Sequence, residues 1–144
     1  MRRLRCYLLI LVAGGLATVG ALGCGNADDF TSATLERDIT HVYANYLRVQ
    51  QAAEGHPLQA APVVSGKCGR GGVFTPSSGA GKDWQCEITA MANGKPTTSR
   101  YNVVARPTAC YTATSPDFGM QFVQAASGAD VANPLYQFDG CVAG

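Results

Sequence analysis

The chain has 144 residues, 47% hydrophobic and only 15% charged, with 17 glycines, 7 prolines, 6 cysteines and a formal net charge of +1. That size fits one domain, and the composition excludes a multidomain enzyme, a collagen-like repeat and a highly charged disordered tail. Near-neutral charge argues against a dedicated nucleic-acid binder, which carries a clear basic excess.

Arg2, Arg3 and Arg5 precede a charge-free run from Cys6 to Gly23. A basic end followed by an apolar run is what a secretory signal needs, and residues 1–23 read as one. Leu22-Gly23-Cys24 resembles the lipobox of bacterial lipoproteins, in which the cysteine takes a diacylglycerol and becomes the new N-terminus. Cys24 is therefore the expected lipidation site. Ala21 departs from the leucine of the usual pattern, and Ala21-x-Gly23 also suits ordinary cleavage at the same bond. An uncleaved anchor is the third alternative, because the 18-residue run is just long enough to span a bilayer. The lipoprotein reading is favoured. All three place the rest of the chain outside the cytoplasm, either on the outer face of the cell membrane or secreted. Without the leader's three arginines, residues 24–144 carry 8 basic and 10 acidic side chains.

After a tether over residues 24–30, one domain is expected over 31–144. Leu35, Ile39, Val42, Tyr46 and Val49 recur at helical spacing, with Tyr43 and Leu47 widening the stripe, and predict a helix from about Thr31 to Glu54. Thr31 or Ser32 caps its start; Gly55 and Pro57 end it. Val63-Val64 begins a strand leading into Cys68, and a 14-residue loop is expected from Gly69 to Lys82. Trp84, Cys86, Ile88 and Ala90 alternate with polar residues, the pattern of a half-buried strand. Asn93-Gly94 is a tight-hairpin signal, and Tyr101, Val103 and Ala105 mark the return strand. Further strands are expected near Ala109–Thr114, Gln121–Ala125 and Leu135–Asp139, with a turn at residues 127–130. The whole predicts an α+β fold: one long N-terminal helix packed on a curved antiparallel sheet of about four to six strands. Leu35, Ile39, Val42 and Tyr46 would meet Trp84, Ile88, Tyr101, Val103 and Phe138.

Cys68, Cys86, Cys110 and Cys141 are an even set in an exported chain and imply two disulfides, with three possible pairings. Neighbour pairing is chosen because each such pair flanks a turn-rich segment. Spacings of 18, 24 and 31 residues and the lack of C-x-x-C give no support to a zinc site or a redox motif.

The leader with its cysteine, the helix, Trp84-x-Cys86, Cys110-Tyr111-Thr112-Ala113 and the run from Asn133 to Cys141 together resemble small actinobacterial exported proteins of unknown function, many of them lipoproteins. The resemblance implies an address and a fold, and no activity.

Chemistry finds little purchase. Gly79-Ala80-Gly81-Lys82 fails as a phosphate loop, because Pro76 stands where the first glycine belongs and Asp83 follows the lysine. His41 has Asp38 one turn earlier but Asn45 where a second metal ligand would sit, and His56 lies just past the helix. No G-x-S-x-G elbow occurs, and nothing pairs Asp117, Asp130 and Asp139 as acid and base. No catalytic residue, metal or cofactor is assigned. Residues 67–106 carry a net of +4 between two segments of net −3. That basic middle fits either an anionic envelope polymer or lipid headgroups or, preferably, guarded strand edges. The expected function is a non-catalytic binding or interaction domain on a lipid anchor, its partner an unknown envelope protein or polymer. Arg70, Phe74 and Lys82 of the glycine-rich loop are its candidate contacts. The alternatives are a small envelope hydrolase using His41 or a late aspartate, and an inhibitor of an extracellular enzyme.

Overall fold

The computed structural model describes residues 29–92 and 94–142. The leader, Cys24, the tether as far as residue 28, and Asn93 of the expected turn lie outside the described residues.

Helix α1 (Ser32–Ala53) starts on a reciprocal cap. The Thr31 hydroxyl accepts from the Thr34 N–H at 3.2 Å, and the Thr34 hydroxyl accepts from the Thr31 N–H at 2.9 Å, so two donors that lack helical partners are satisfied. The helix stops at Gly55, whose φ of +83° is a left-handed conformation that glycine adopts without strain. Leu35, Ile39, Tyr43 and Gln50 are buried, and Val42, Tyr46 and Leu47 pack partly against the core. Val49 corrects the expected stripe: it is 59% exposed. Successive helical residues point about 100° apart, and at the last core position the inward one is Gln50.

Seven strands follow: β1 (Val63–Arg70), β2 (Gly81–Ala92), β3 (Lys95–Ala105), β4 (Cys110–Thr114), β5 (Phe122–Gln124), β6 (Asp130–Ala132) and β7 (Gln137–Cys141). Five form an antiparallel sheet in the order β1-β2-β3-β4-β7, while β5 and β6 make a separate two-stranded sheet. The architecture is one helix on a mainly β body. The main sheet's five strands fall within the expected four to six; β6 and its separate sheet were not expected, and they arise because the chain leaves the turn at residues 127–129 directly into β6. The glycine-rich loop is shorter than expected for the same kind of reason: β1 runs on to Arg70 and β2 begins at Gly81, leaving residues 71–80.

Both disulfides join directly opposed residues of neighbouring strands. Cys68 bonds Cys86 across β1 and β2, and Cys110 bonds Cys141 across β4 and β7. Neighbour pairing is thus the observed connectivity. Two disulfides mark an oxidising, extracytoplasmic setting. Among the described residues no helix is long and apolar enough to cross a membrane.

The helix is tied to strands at opposite edges of the five-stranded sheet. Glu36 Oε1 accepts the Cys68 N–H of β1 at 3.0 Å, which covers part of an edge that would otherwise offer free donors. Thr40 sits so close to β1 that a Cβ on Gly66 would stand 2.9 Å from its methyl group. At the other side, Asp38 Oδ2 lies where a Cβ on Gly140 of β7 would approach to 2.8 Å.

Candidate functional site

Along the paired strands β2 and β3 the inward side chains shrink toward the hairpin end. Trp84 faces Val103, Cys86 faces Tyr101, Ile88 faces Ser99, and Ala90 faces Thr97. The first rungs fill the space beneath the helix, and the last does not. The result is an open cavity of about 380 Å³ between the second half of α1 and the end of the hairpin, a size within the range of small-molecule sites. Tyr43, Leu47, Gln50 and Gln51 form the helix wall; Ala90, Ala92, Lys95 and Thr97 form the hairpin wall; Phe118 and Leu135 close the side.

Among the described residues, the buried polar side-chain atoms here are held with one exception. Tyr101, whose ring packs edge-on against that of Tyr43 at 6.1 Å, donates its hydroxyl to the Leu135 carbonyl at 2.7 Å. Burial pushes the Tyr43 phenol up from its ordinary value, and a hydrogen bond with Ser99 partly offsets the shift, so the group is neutral at physiological pH. Gln50 Nε2 donates to Glu54 Oε1 at 2.9 Å, and Gln51 Nε2 donates to Glu54 Oε2 at 3.1 Å. Glu54 therefore fixes which way the Gln50 amide points, since a reversed amide would set oxygen against carboxylate. The remaining atom, Gln50 Oε1, is buried with no hydrogen-bond partner among the described residues. An unsatisfied buried acceptor costs about 1–3 kcal/mol; Gln50 is one of the residues that line the cavity, while this oxygen is closed off from solvent.

The expected contact residues lie elsewhere. Arg70 is bound by Asp83, its Nε donating to both carboxylate oxygens at 2.9 and 3.0 Å, and its Nη1 reaches the Ser78 carbonyl at 3.3 Å. That pairing holds the exposed Asp83 carboxyl below the usual range. Phe74 is 75% exposed and Lys82 is exposed; none of the three lines the cavity. The far end of their loop is latched to the helix entry, where Gly79 N–H donates to the Phe30 carbonyl at 2.8 Å and Ser32 N–H to the Ser77 carbonyl at 2.9 Å. Trp84 Nε1 adds a bond to the Gly79 carbonyl at 3.0 Å.

His41 is exposed, and Asp38, the carboxylate one turn before it, accepts the Tyr111 hydroxyl at 2.8 Å. Among the described residues, no group of three or more His, Cys, Asp or Glu side chains is placed to hold a metal ion. Four cations of the basic middle are paired: Lys67 with Glu36, Arg70 with Asp83, Arg100 with Asp117, and Arg106 with Asp139. Three of those acids come from the two flanking acidic segments, so the charge blocks of the sequence answer one another inside the fold. Lys82 and Lys95 have no ion-pair partner among the described residues, and Lys95 stands in the cavity wall.

Sequence reasoning missed Gln50. The available signal was its place seven residues beyond Tyr43, on the face that Leu35 and Ile39 begin; a polar residue there was passed over for Val49. Compared with protein-family models, with curated proteins and with solved structures, the chain matches none.

Proposed function

We propose that the chain is an exported domain, held on the outer face of the cell membrane by a lipid on Cys24, that works by binding a small ligand in the helix–hairpin cavity and not by catalysis. The observation that carries this reading is the cavity itself. Its described wall combines apolar side chains with the amide residues Gln50 and Gln51, and its titratable groups are a neutral phenol and a lysine, not an acid–base pair. The leader with its lipobox-like end, the two disulfides and the resemblance to small exported actinobacterial lipoproteins support the address. We also read the sheet as curved around a long helix, because Glu36 reaches β1 while Asp38 lies against β7.

Two measurements test the reading. The mass of the native N-terminus is expected to be that of a chain beginning at a diacylglycerol-bearing Cys24; a bare N-terminus there, or an intact leader, rejects the lipid anchor. A fragment library, screened by nuclear magnetic resonance, is expected to shift Tyr43, Leu47 and Leu135. A hydrolytic turnover lost in His41→Ala would instead favour the hydrolase.

A further inference from the structure

An exposed aromatic ring stands beside the point where the chain enters the domain. The Thr75 N–H donates to the Gly72 carbonyl at 3.2 Å, closing a turn whose two corner residues are Val73 and Phe74. Turn corners favour glycine, proline, asparagine, aspartate and serine; here one of them carries a ring, and Phe74 is 75% exposed. The turn is held in place. The Ser77 hydroxyl donates to the Thr75 carbonyl at 2.8 Å and accepts the Arg70 N–H at 3.0 Å. Through Ser77 and Gly79 the loop is bonded to Ser32 and Phe30, and Val73, Phe74 and Pro76 share a shallow hollow with Ser32 and Glu36. The tip of the loop therefore lies at the start of α1.

Chain length limits where that end of the domain can go. Cys24 precedes Asp29 by five residues, which span at most about 18 Å. A lipid on Cys24 keeps the start of α1, and the loop bonded to it, within reach of the bilayer. Val49, 59% exposed, lies seventeen residues beyond Ser32, about 26 Å farther along the helix axis. Of the cations beside the loop, Lys67 is paired with Glu36 and Arg70 with Asp83, leaving Lys82. What this corner offers a bilayer is apolar surface more than charge.

Resting on the reading that Cys24 carries a lipid, we propose that the Val73–Phe74 turn is the domain's foot on the membrane. The Phe74 ring sits at the boundary between headgroups and acyl chains, where aromatic and aliphatic side chains of surface-bound segments lie. A single ring would hold a free protein to lipid only weakly. On a tethered domain the contact is intramolecular, and an effective concentration in the millimolar range lets a weak contact set orientation. The second half of α1, with its cavity, then stands away from the lipid.

The test uses the chain from Cys24 onward, with the Cys24 thiol coupled to a maleimide lipid. The vesicles are phosphatidylcholine brominated near the top of its acyl chains, which quenches tryptophan at contact. The native Trp84 is buried and supplies the unquenched baseline. Phe74→Trp, at an exposed loop position, is expected to lose the emission of its added indole in low and high salt alike. Val49→Trp is expected to keep it. An unquenched indole at position 74 would place the loop in water and overturn the proposal. Equal quenching at positions 49 and 74 would also overturn it, because the domain would then have no preferred foot. Quenching at 74 that high salt abolishes would assign the contact to headgroup charge, with the same consequence. The maleimide lipid supplies the anchor, so failure in the vesicles is separate from failure of the lipoprotein reading; a bare native Cys24 removes the anchor and this contact with it.

Discussion

Over its first two turns α1 looks down on rings and sulfur: Phe30 lies 5.8 Å from Trp84 and 6.2 Å from Tyr111, with Leu35, Cys68 and Cys86 buried beside them. Over its last two turns the same helix faces Ala90 and Thr97 across open space. At the filled end the buried polar atoms are answered, Trp84 Nε1 by the Gly79 carbonyl and the Tyr111 hydroxyl by Asp38. At the hollow end Gln50 Oε1 is not. Dense packing and complete hydrogen bonding are what stability requires; a gap with an unsatisfied acceptor lowers it. One end of the helix therefore holds the fold together, and the other has the features of a place kept for something else.

The comparison breaks most sharply if the filled end proves dispensable. Trp84→Ala removes the largest buried side chain and the bond that latches the glycine-rich loop. The expected loss is about 3–5 kcal/mol of unfolding free energy, read from urea melts, with amide exchange accelerating over residues 71–80. A loss below about 1 kcal/mol would show that the ring cluster is not the structural centre.

Alkaline titration reaches both ends at once. Burial raises the phenol pKa values of Tyr43, Tyr101 and Tyr111, and the bond to Asp38 raises that of Tyr111 further, because an ionised phenol beside a carboxylate is doubly disfavoured. In the unfolded chain all three ionise near pH 10. A neutral form favoured by folding contributes stability that is intact below that value and is lost as pH rises above it, while the unfolded chain releases protons the native state still holds. Each such group removes up to about 1.4 kcal/mol per pH unit between its unfolded and folded pKa values. Tyr111→Phe, at the filled end, should take away the larger share of the slope, and Tyr43→Phe, at the cavity, the smaller, because the hydrogen bond with Ser99 partly offsets its shift. A slope unchanged in either variant would show that its phenol ionises freely in the folded protein.

The disulfides rank next. Replacing Cys68 and Cys86 together with alanine should cost roughly 3 kcal/mol in the chain-entropy account, and the Cys110–Cys141 pair about 0.5 kcal/mol more, since it closes the longer loop. Equal melts with and without reductant would contradict both values.

How much of this was legible beforehand follows the same division. At the filled end local signals agree with one another: Trp84, Cys86, Ile88, Tyr101 and Val103 alternate as strands do, Thr31 caps, and neighbouring cysteines pair. Pattern there predicts both place and partner. Yet Phe30, Tyr111, Leu135 and Val142 also entered the core without being expected there. Their burial depends on long-range register, such as β4 against β7, and no local period encodes it. At the hollow end pattern misleads. A hydrophobic stripe continued through Val49 is the natural reading, and the fold instead turns Gln50 inward. Arg70, Phe74 and Lys82, the contacts expected on the glycine-rich loop, lie apart from the cavity: loop length and glycine content mark a connection, while the partner of a guanidinium, here Asp83, is set by three-dimensional neighbours.

Gln50→Leu is the smallest expected effect and the most discriminating. An ordinary buried amide that loses its partners weakens a protein by 1 kcal/mol or more. Here leucine removes one good bond, to Glu54, and relieves one unsatisfied acceptor, while its branched chain fills part of the wall beside Leu47. The opposing contributions are of similar size, so stability is expected to change by less than about 1 kcal/mol. Gln50→Glu reverses the logic: a buried carboxylate beside Glu54 adds repulsion and desolvation together, and that variant should be stable in mild acid and weaken as pH rises through the raised carboxyl pKa. If leucine costs several kcal/mol, Gln50 is a structural amide whose carbonyl finds a partner in solution, and the contrast between the two ends of α1 disappears. If leucine is neutral, a polar residue stands where an apolar one serves folding equally well, and its reason for being there lies in the cavity.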